Sequence, residues 1–357
     1  MKSPFKKPLP YIPSKDELIR MVVTRYKTTE APAPSVDPGF IKLRRLEITR
    51  VKETTQYLIE IFRDIAMNMP FLDSLHPFYR ELIDLLLDER KYRHALAKIA
   101  HAPTAVRAIE RDTLFMLRIA GSREDILKAR KMYIGRIIDL IEDLSEELEY
   151  LREAVKQLKK LPCIDPELYT IVVAGMPNVG KSSLVRAVST AKPEVAEYPF
   201  TTKQIHVGHI RLFGDSIVQI IDTPGLLDRP LSEMNKIELQ AVLALRHLAK
   251  VIIFLVDPTL HSGFELERQV KLLKEVKETF KEIPLIVAIS KIDMASSDEI
   301  ERAEKCIRET VGDVPIYKIS NVEGDSARLM IMDVINKYIV PYYIEKVRER
   351  KFTTETL

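Results

Sequence analysis

The sequence predicts a two-part chain: an all-α bundle followed by an α/β domain whose mostly parallel sheet carries helices on both faces. Three observations predict it. From Phe40 to Lys160, apolar residues recur every three or four positions, as on helices that bury one face. Beyond a short linker, brief apolar runs alternate with helical segments, the pattern of parallel strands covered on both faces. Directly after the first such run, Gly175-Met-Pro-Asn-Val-Gly180-Lys181-Ser182 fits G-x-x-x-x-G-K-[ST].

The 357 residues exceed one small domain, and 46% hydrophobic with 30% charged residues is globular composition, which excludes a disordered chain. Cys163 and Cys306 lie far apart. Neither a disulfide framework nor a zinc site is expected, and a reducing, cytoplasmic compartment fits. No apolar run approaches the roughly 18–20 residues of a membrane span, and the start, Met1 to Lys7, lacks a signal-peptide core. The formal charge of +3 conceals a split. Residues 1–160 carry 30 Lys and Arg against 24 Asp and Glu, whereas residues 161–357 carry 25 against 28. The first part is therefore basic and the second acidic.

In chain order, residues 1–39 read as a Pro-rich basic arm with one short helix near 15–27. Residues 40–160 read as the bundle, with helices at 40–68, 75–87, 90–101, 104–120 and 123–160. Pro70, Pro103 and Gly121-Ser122 act as breakers, and Ser122 caps the last helix with Asp125. Residues 161–168 form the linker, 169–340 the α/β domain and 341–357 a helical, basic tail. Six strands are expected, at 169–174, 206–213, 216–221, 251–256, 285–289 and 316–319. Helices lie between them at 181–190, 231–247, 265–281, 297–311 and 325–340. Gly214-Asp215 joins two strands directly, so one strand of the sheet runs antiparallel.

The chemistry sits in four motifs. In the phosphate loop, Gly175 and Gly180 let the backbone that runs on from Pro177 turn the N–H groups of Asn178, Val179, Gly180, Lys181, Ser182 and Ser183 toward phosphate oxygens, with the helix N-terminus behind them. Lys181 reaches the β- and γ-phosphates, and the Ser182 hydroxyl ligates Mg²⁺. Asp222-Thr-Pro-Gly225 follows an apolar strand; Asp222 can hold Mg²⁺ through water and the Gly225 N–H can donate to the γ-phosphate. Ser290-Lys291-Ile-Asp293 approximates [NT]-K-x-D, whose Asp accepts from guanine N1–H and N2–H₂, a pattern adenine lacks. Ser290 stands where Asn is commoner, so weaker support of the base loop is expected. Ser320-Asn321 matches a weak loop that touches guanine O6 through backbone N–H. Tyr198-Pro-Phe-Thr201-Thr202 lies where a threonine closes on Mg²⁺ and the γ-phosphate; Thr202 is favoured, with Thr201 the alternative. Leu226 follows Gly225 where Ras-like enzymes carry a water-orienting Gln, so slow intrinsic hydrolysis is expected. Asn178 is a candidate for helping to hold K⁺ against the phosphates.

These residues resemble the Obg-like branch of translation-factor GTPases through Asn178-Val-Gly-Lys-Ser-Ser-Leu184, Tyr198–Thr202 and Asp222–Leu226. The continuation Leu226-Leu-Asp-Arg-Pro-Leu231, with Asn235, Ile237-Glu238 and Ala244-Leu245, is similar to the NOG (nucleolar GTP-binding protein) family. So are His76-Pro-Phe-Tyr79, Asp88-Glu-Arg-Lys-Tyr92, Ala95-Leu96 and Gly135-Arg136. The resemblance spans essentially the whole chain and fits a compact, archaeal-type member. It implies a Mg²⁺-dependent GTPase cycling between GTP and GDP during assembly of the large (50S/60S-type) ribosomal subunit, with rRNA and ribosomal proteins as partners. A monomer with no membrane partner is expected.

The residues agree with that implication. Lys2, Lys6, Lys7, Arg20, Arg25, Lys27, Lys42, Arg44, Arg45 and Arg50 can neutralise phosphates, and Phe5, Tyr11, Tyr26 and Phe40 can stack on unpaired bases. His76 and Tyr79 read as packing and capping residues. Two rivals remain: a signalling GTPase that docks a protein effector through the bundle, and a GTP-binding scaffold that hardly hydrolyses.

Overall fold

The computed structural model describes residues 5, 7–30, 39–199, 204–212, 216–320 and 325–341. The chain forms two compact units, one comprising Phe5–Ser74 with Leu86–Lys159, the other Leu75–Leu85 with everything from Lys160.

The helices before the sheet are α1 (Lys15–Thr28), α2 (Gly39–Asn68), α3 (Pro77–Leu86), α4 (Glu89–Ile119), α5 (Arg123–Asp143) and α6 (Ser145–Leu158). All but α3 belong to the helical unit. Capping boxes start α1 at Ser14 with Glu17 and α5 at Ser122 with Asp125. In α2, Val51, Leu58, Phe62 and Ile65 form the stripe buried against α4. Two expectations fail here. Pro103 does not break a helix; α4 runs through it for 31 residues. An interior proline costs roughly 3 kcal/mol, but Ile99, Ala102, Val106 and Ile109 bury the face around it, and α4 packs on α2, α5 and α6. Conversely, the helix expected over 123–160 is interrupted at Leu144 (φ −97°, ψ 5°), with no Gly or Pro there. Leu144 itself is buried, so tertiary packing rather than local propensity places the break.

A charged group lies at the heart of this unit. Glu47 is fully buried, and its carboxylate accepts from the Tyr26 hydroxyl and from Arg50 at 3.1 Å, with Arg130 at 3.9 Å. The Tyr26 ring stacks on Tyr133, whose hydroxyl meets Thr55 at 3.0 Å. Burial, then the bond to Glu47, holds the Tyr26 phenol well above its ordinary pKa. Tyr26 is therefore core and cannot serve as a base-stacking platform, and Phe5 is buried too. Tyr11 remains exposed.

The helix expected at 75–87 is α3, and its contacts lie with the second unit. The buried Tyr79 hydroxyl donates to Ile164 O (2.5 Å), and the Ile164 N–H donates to it (3.0 Å). His76 Nδ1 accepts from the Phe78 N–H at 3.3 Å, the capping role expected of it. Glu81 pairs with Arg246 and His247.

Among the described residues the sheet has seven strands, β1 (Tyr169–Ala174), β2 (Glu194–Glu197), β3 (Gln204–Arg211), β4 (Ile217–Asp222), β5 (Ala249–Val256), β6 (Leu285–Ile289) and β7 (Ile316–Lys318), ordered β2-β3-β4-β1-β5-β6-β7. The helices are α7 (Lys181–Val188), α8 (Lys236–Leu243), α9 (Leu266–Thr279), α10 (Ser297–Val311) and α11 (Asp325–Val334), the last continued by one π-turn (Ile335–Ile339). As expected, one strand, β3, runs opposite to the rest, pairing antiparallel with both β2 and β4. The extra strand is β2. Glu-Val-Ala-Glu is too short to show a period, and only Ala196 is buried, as suits an edge strand. Gly208 fixes the approach of α7 to β3: a Cβ there would lie 2.0 Å from Ser189 Oγ and 3.1 Å from Val185 Cγ1. The Gly214-Asp215 turn, Thr201, Thr202 and Asn321 lie outside the described residues.

Candidate functional site

Register brings the motifs together. β1 lies between β4 and β5, with Val173 opposite Asp222 and Ala174 opposite Phe254, while Val256 pairs with Ile289. The chain therefore leaves four parallel strands at one carboxyl edge, into the phosphate loop, Asp222–Gly225, Asp257 and Ser290–Asp293. This is where open α/β sheets bind ligands.

In the phosphate loop, Gly175 (φ +133°) admits no side chain, since a Cβ would lie 2.6 Å from Leu255 O. Asn178 (φ +63°) and Gly180 (φ +101°) also take the left-handed region, and Gly180 opens α7 without a side-chain cap. No side chain at the Gly180 cap competes for the N-terminus of α7, the end of a helix that receives anions. Pro177 is half-buried, Asn178 and Ser183 are exposed and Val179 is buried. The buried Lys181 Nζ donates to Gly175 O (2.8 Å) and Met176 O (2.9 Å), which holds the ammonium across the loop.

Beside it, Ser182 Oγ meets Asp222 Oδ2 at 2.5 Å. Asp222 is fully buried, His206 Nδ1 lies 3.1 Å from the same oxygen, and Oδ1 has no partner. A hydroxyl beside a buried carboxylate with one unused oxygen fits Mg²⁺, which takes oxygen donors and keeps several waters and phosphate oxygens. Among the described residues no cluster of three or more His, Cys, Asp or Glu could hold a metal.

Two expectations need revision. The Gly225 N–H is engaged, donating to Asp228 Oδ2 at 2.6 Å. The Ser320 N–H is likewise engaged, by Ser326 Oγ at 2.9 Å, because the buried Ser320 is drawn under the start of α11. Leu226 and Leu227 are fully buried, and Leu227 O accepts from the Gly175 N–H at 3.0 Å. The Leu226 side chain is therefore a core anchor.

The base loop is propped from below. The buried Ser290 Oγ donates to Val179 O of the phosphate loop at 2.7 Å, so the shorter side chain still ties the two loops together. Lys291 (φ +56°) pairs with the fully buried Asp257 at 2.7 Å. Asp257 also accepts from the Thr259 N–H and hydroxyl, while Gln269 bonds its backbone on both sides. Asp293 is exposed. Sequence reasoning missed Asp257, Gln269, His206 and Asp228. Asp257 alone carried a signal, a carboxylate closing an apolar strand run as Asp222 does.

A family model described as the NOG1 N-terminal helical domain matches residues 5–165, and one described as nucleolar GTP-binding protein 1 (NOG1) matches residues 236–293. The nucleolar GTP-binding protein 1 of Kluyveromyces lactis is 34% identical over 88% of this chain and 48% of its own length. An uncharacterized protein of Methanocaldococcus jannaschii is 36% identical over 84% of this chain and 83% of its own. A crystal structure from Plasmodium falciparum, of a protein provisionally named nucleolar GTP-binding protein 1, is 29% identical; it covers 55% of this chain and 100% of that one, with a TM-score of 0.43. The chain spans about half the length of the first curated relatives it matches. By the two family models and the curated relatives it matches, the chain belongs to the nucleolar GTP-binding protein 1 family.

Proposed function

We propose that the chain binds GTP with Mg²⁺, hydrolyses it to GDP and phosphate, and uses its basic arm and helical unit to bind rRNA during assembly of the large ribosomal subunit. The Ser182–Asp222 corner carries the catalytic half: the unpaired Asp222 Oδ1 is a buried charge that packing alone would select against. Mg²⁺, held by Ser182 and through water by Asp222, with Thr202 or Thr201 as the further candidate, would neutralise the β- and γ-phosphates. Lys181 and the loop amides bind and orient the phosphates, and Lys181 balances their charge. Asp293 reads the guanine edge, and Ser290 with Asp257 positions its loop. Because the Leu226 side chain is buried and cannot orient water, intrinsic hydrolysis is slow. Asn178, exposed at the lip of the loop, is the K⁺ candidate. Equal single-turnover rates in K⁺ and Na⁺ would remove it.

The names of the curated relatives support the GTP reading. Lys7, Arg20, Lys27, Lys42 and Arg45 are exposed cations suited to phosphate contacts, and no helix among the described residues is long and apolar enough to cross a membrane. The chain is proposed to act as a cytoplasmic monomer on the pre-ribosome. Binding assays with GTP, ATP and xanthosine triphosphate test the base reading. Wild type should select GTP, and Asp293→Asn should shift preference toward xanthine; no shift removes Asp293 from the base site. Sedimentation with large subunits in a non-hydrolysable GTP analogue, GDP or no nucleotide tests the partner. Association should depend on nucleotide and weaken steeply with salt, and equal association in all three states would end the switch reading.

A further inference from the structure

The bond from the Gly225 N–H to Asp228 marks a competition. Gly225 (φ +79°) turns the chain back, the amides of Leu226 and Leu227 donate to Thr223 O, and both leucine side chains are buried. These anchors fix Asp228 three residues on, with its carboxylate oxygen 2.6 Å from the amide that would otherwise serve the terminal phosphate of a triphosphate. Leu227 O also holds the first amide of the phosphate loop at 3.0 Å, so the turn cannot drift from the loop. The neighbouring Arg229 points elsewhere, paired with Glu238 at 3.1 Å.

We propose that Asp228 sets the preference between nucleoside di- and triphosphate: its carboxylate occupies the Gly225 amide and must leave when a γ-phosphate arrives. This rests on the GTP reading above and adds to it a residue outside the four motifs. Two costs fall on the triphosphate alone. One charge-assisted hydrogen bond must be exchanged for another. Asp228 must also move from a place where its charge would face the γ-phosphate at short range, a repulsion that a half-buried site screens poorly. The diphosphate asks for neither, so Asp228 favours the GDP-bound state and links triphosphate binding to withdrawal of its own carboxylate from the Gly225 amide.

The test compares fluorescent GDP and a non-hydrolysable GTP analogue on the full chain as wild type, Asp228→Ala and Asp228→Asn. Asp228→Ala should tighten the triphosphate about 10-fold, equal to about 1.4 kcal/mol, and leave GDP affinity unchanged. Asp228→Asn keeps an acceptor for Gly225 but no charge, and should give an intermediate shift. It also keeps the test decisive should the alanine variant fold poorly. A GDP-to-triphosphate ratio unchanged in both variants, or the two affinities moving together, overturns the proposal while leaving the GTP reading intact. Wild type that binds neither nucleotide overturns both.

Discussion

Two completely buried carboxylates, Glu47 in one unit and Asp222 in the other, are handled in opposite ways. Glu47, in the helical unit, is saturated: the Tyr26 hydroxyl and Arg50 donate to it, and Arg130 lies 3.9 Å away. Asp222, at the sheet edge, has Ser182 and His206 on one oxygen and nothing on the other. A buried charge costs several kcal/mol to desolvate, and saturated partners offset that. A site built for stability therefore closes its hydrogen bonds internally. A site built for a ligand leaves capacity open and tolerates the cost, because pre-organisation is needed when the ligand's charge arrives. Exposure alone would not separate Glu47 from Asp222; hydrogen-bond accounting does.

Breaking the saturated site should give the larger loss of stability. Glu47→Ala leaves Arg50 beside a cavity without its counter-charge, and should cost about 3–5 kcal/mol. Chemical denaturation followed by circular dichroism reads this directly. Nucleotide affinity of the folded fraction should stay at the wild-type level, since none of the strand-edge motifs lies in that unit. A folded Glu47→Ala chain that no longer bound nucleotide would collapse the distinction. Asp222→Asn makes the reverse case. Turnover should fall about 10²–10³-fold, as when one pre-organised electrostatic group is removed from a catalytic site. Stability should stay within about 1 kcal/mol of wild type or rise, because a buried carboxylate with one unsatisfied oxygen is replaced by a neutral group of the same shape. Steady-state phosphate release and the unfolding midpoint, measured on one preparation, decide it, and a large loss of stability would make Asp222 a structural residue like Glu47.

The same contrast explains what could be read from the sequence. Lys181, Ser182, Asp222 and Asp293 were legible because phosphate and base recognition need fixed residue types within a few positions, and each motif follows a recognisable strand. Their supports were not. His206 meets Asp222 only through the antiparallel register of β3 and β4, and Gln269 reaches Asp257 from α9. Asp228 stands outside the four motifs, and only the fold puts its carboxylate on the Gly225 amide. In the helical unit, periodicity gave the stripes but not the joints. Pro103 is overruled by burial on both sides, and Leu144 breaks a helix that nothing local interrupts. The Glu47 centre was invisible, because Tyr26, Glu47 and Arg130 sit on α1, α2 and α5 and lie far apart in sequence.

Ser290 sharpens the comparison with the smallest expected effect. It is buried and satisfied like Glu47, yet it stands in the functional site like Asp222, because its single hydroxyl proton goes to Val179 O of the phosphate loop. If saturation marked only stability, Ser290→Ala would lower the unfolding free energy by about 1 kcal/mol and leave nucleotide affinity alone. The bond, however, spans from the loop that reads the base to the loop that cradles the phosphates. Its loss should free both, with nucleotide affinity falling about 5-fold, or about 1 kcal/mol, and GDP and triphosphate weakened equally. An equal loss distinguishes a brace from the γ-phosphate competition assigned to Asp228. Ser290→Thr keeps the hydroxyl and should restore most of the affinity where the added methyl is accommodated. A Ser290→Ala chain that is destabilised but binds nucleotide as tightly as wild type would place Ser290 with Glu47, as a residue of the core that happens to lie beneath the site.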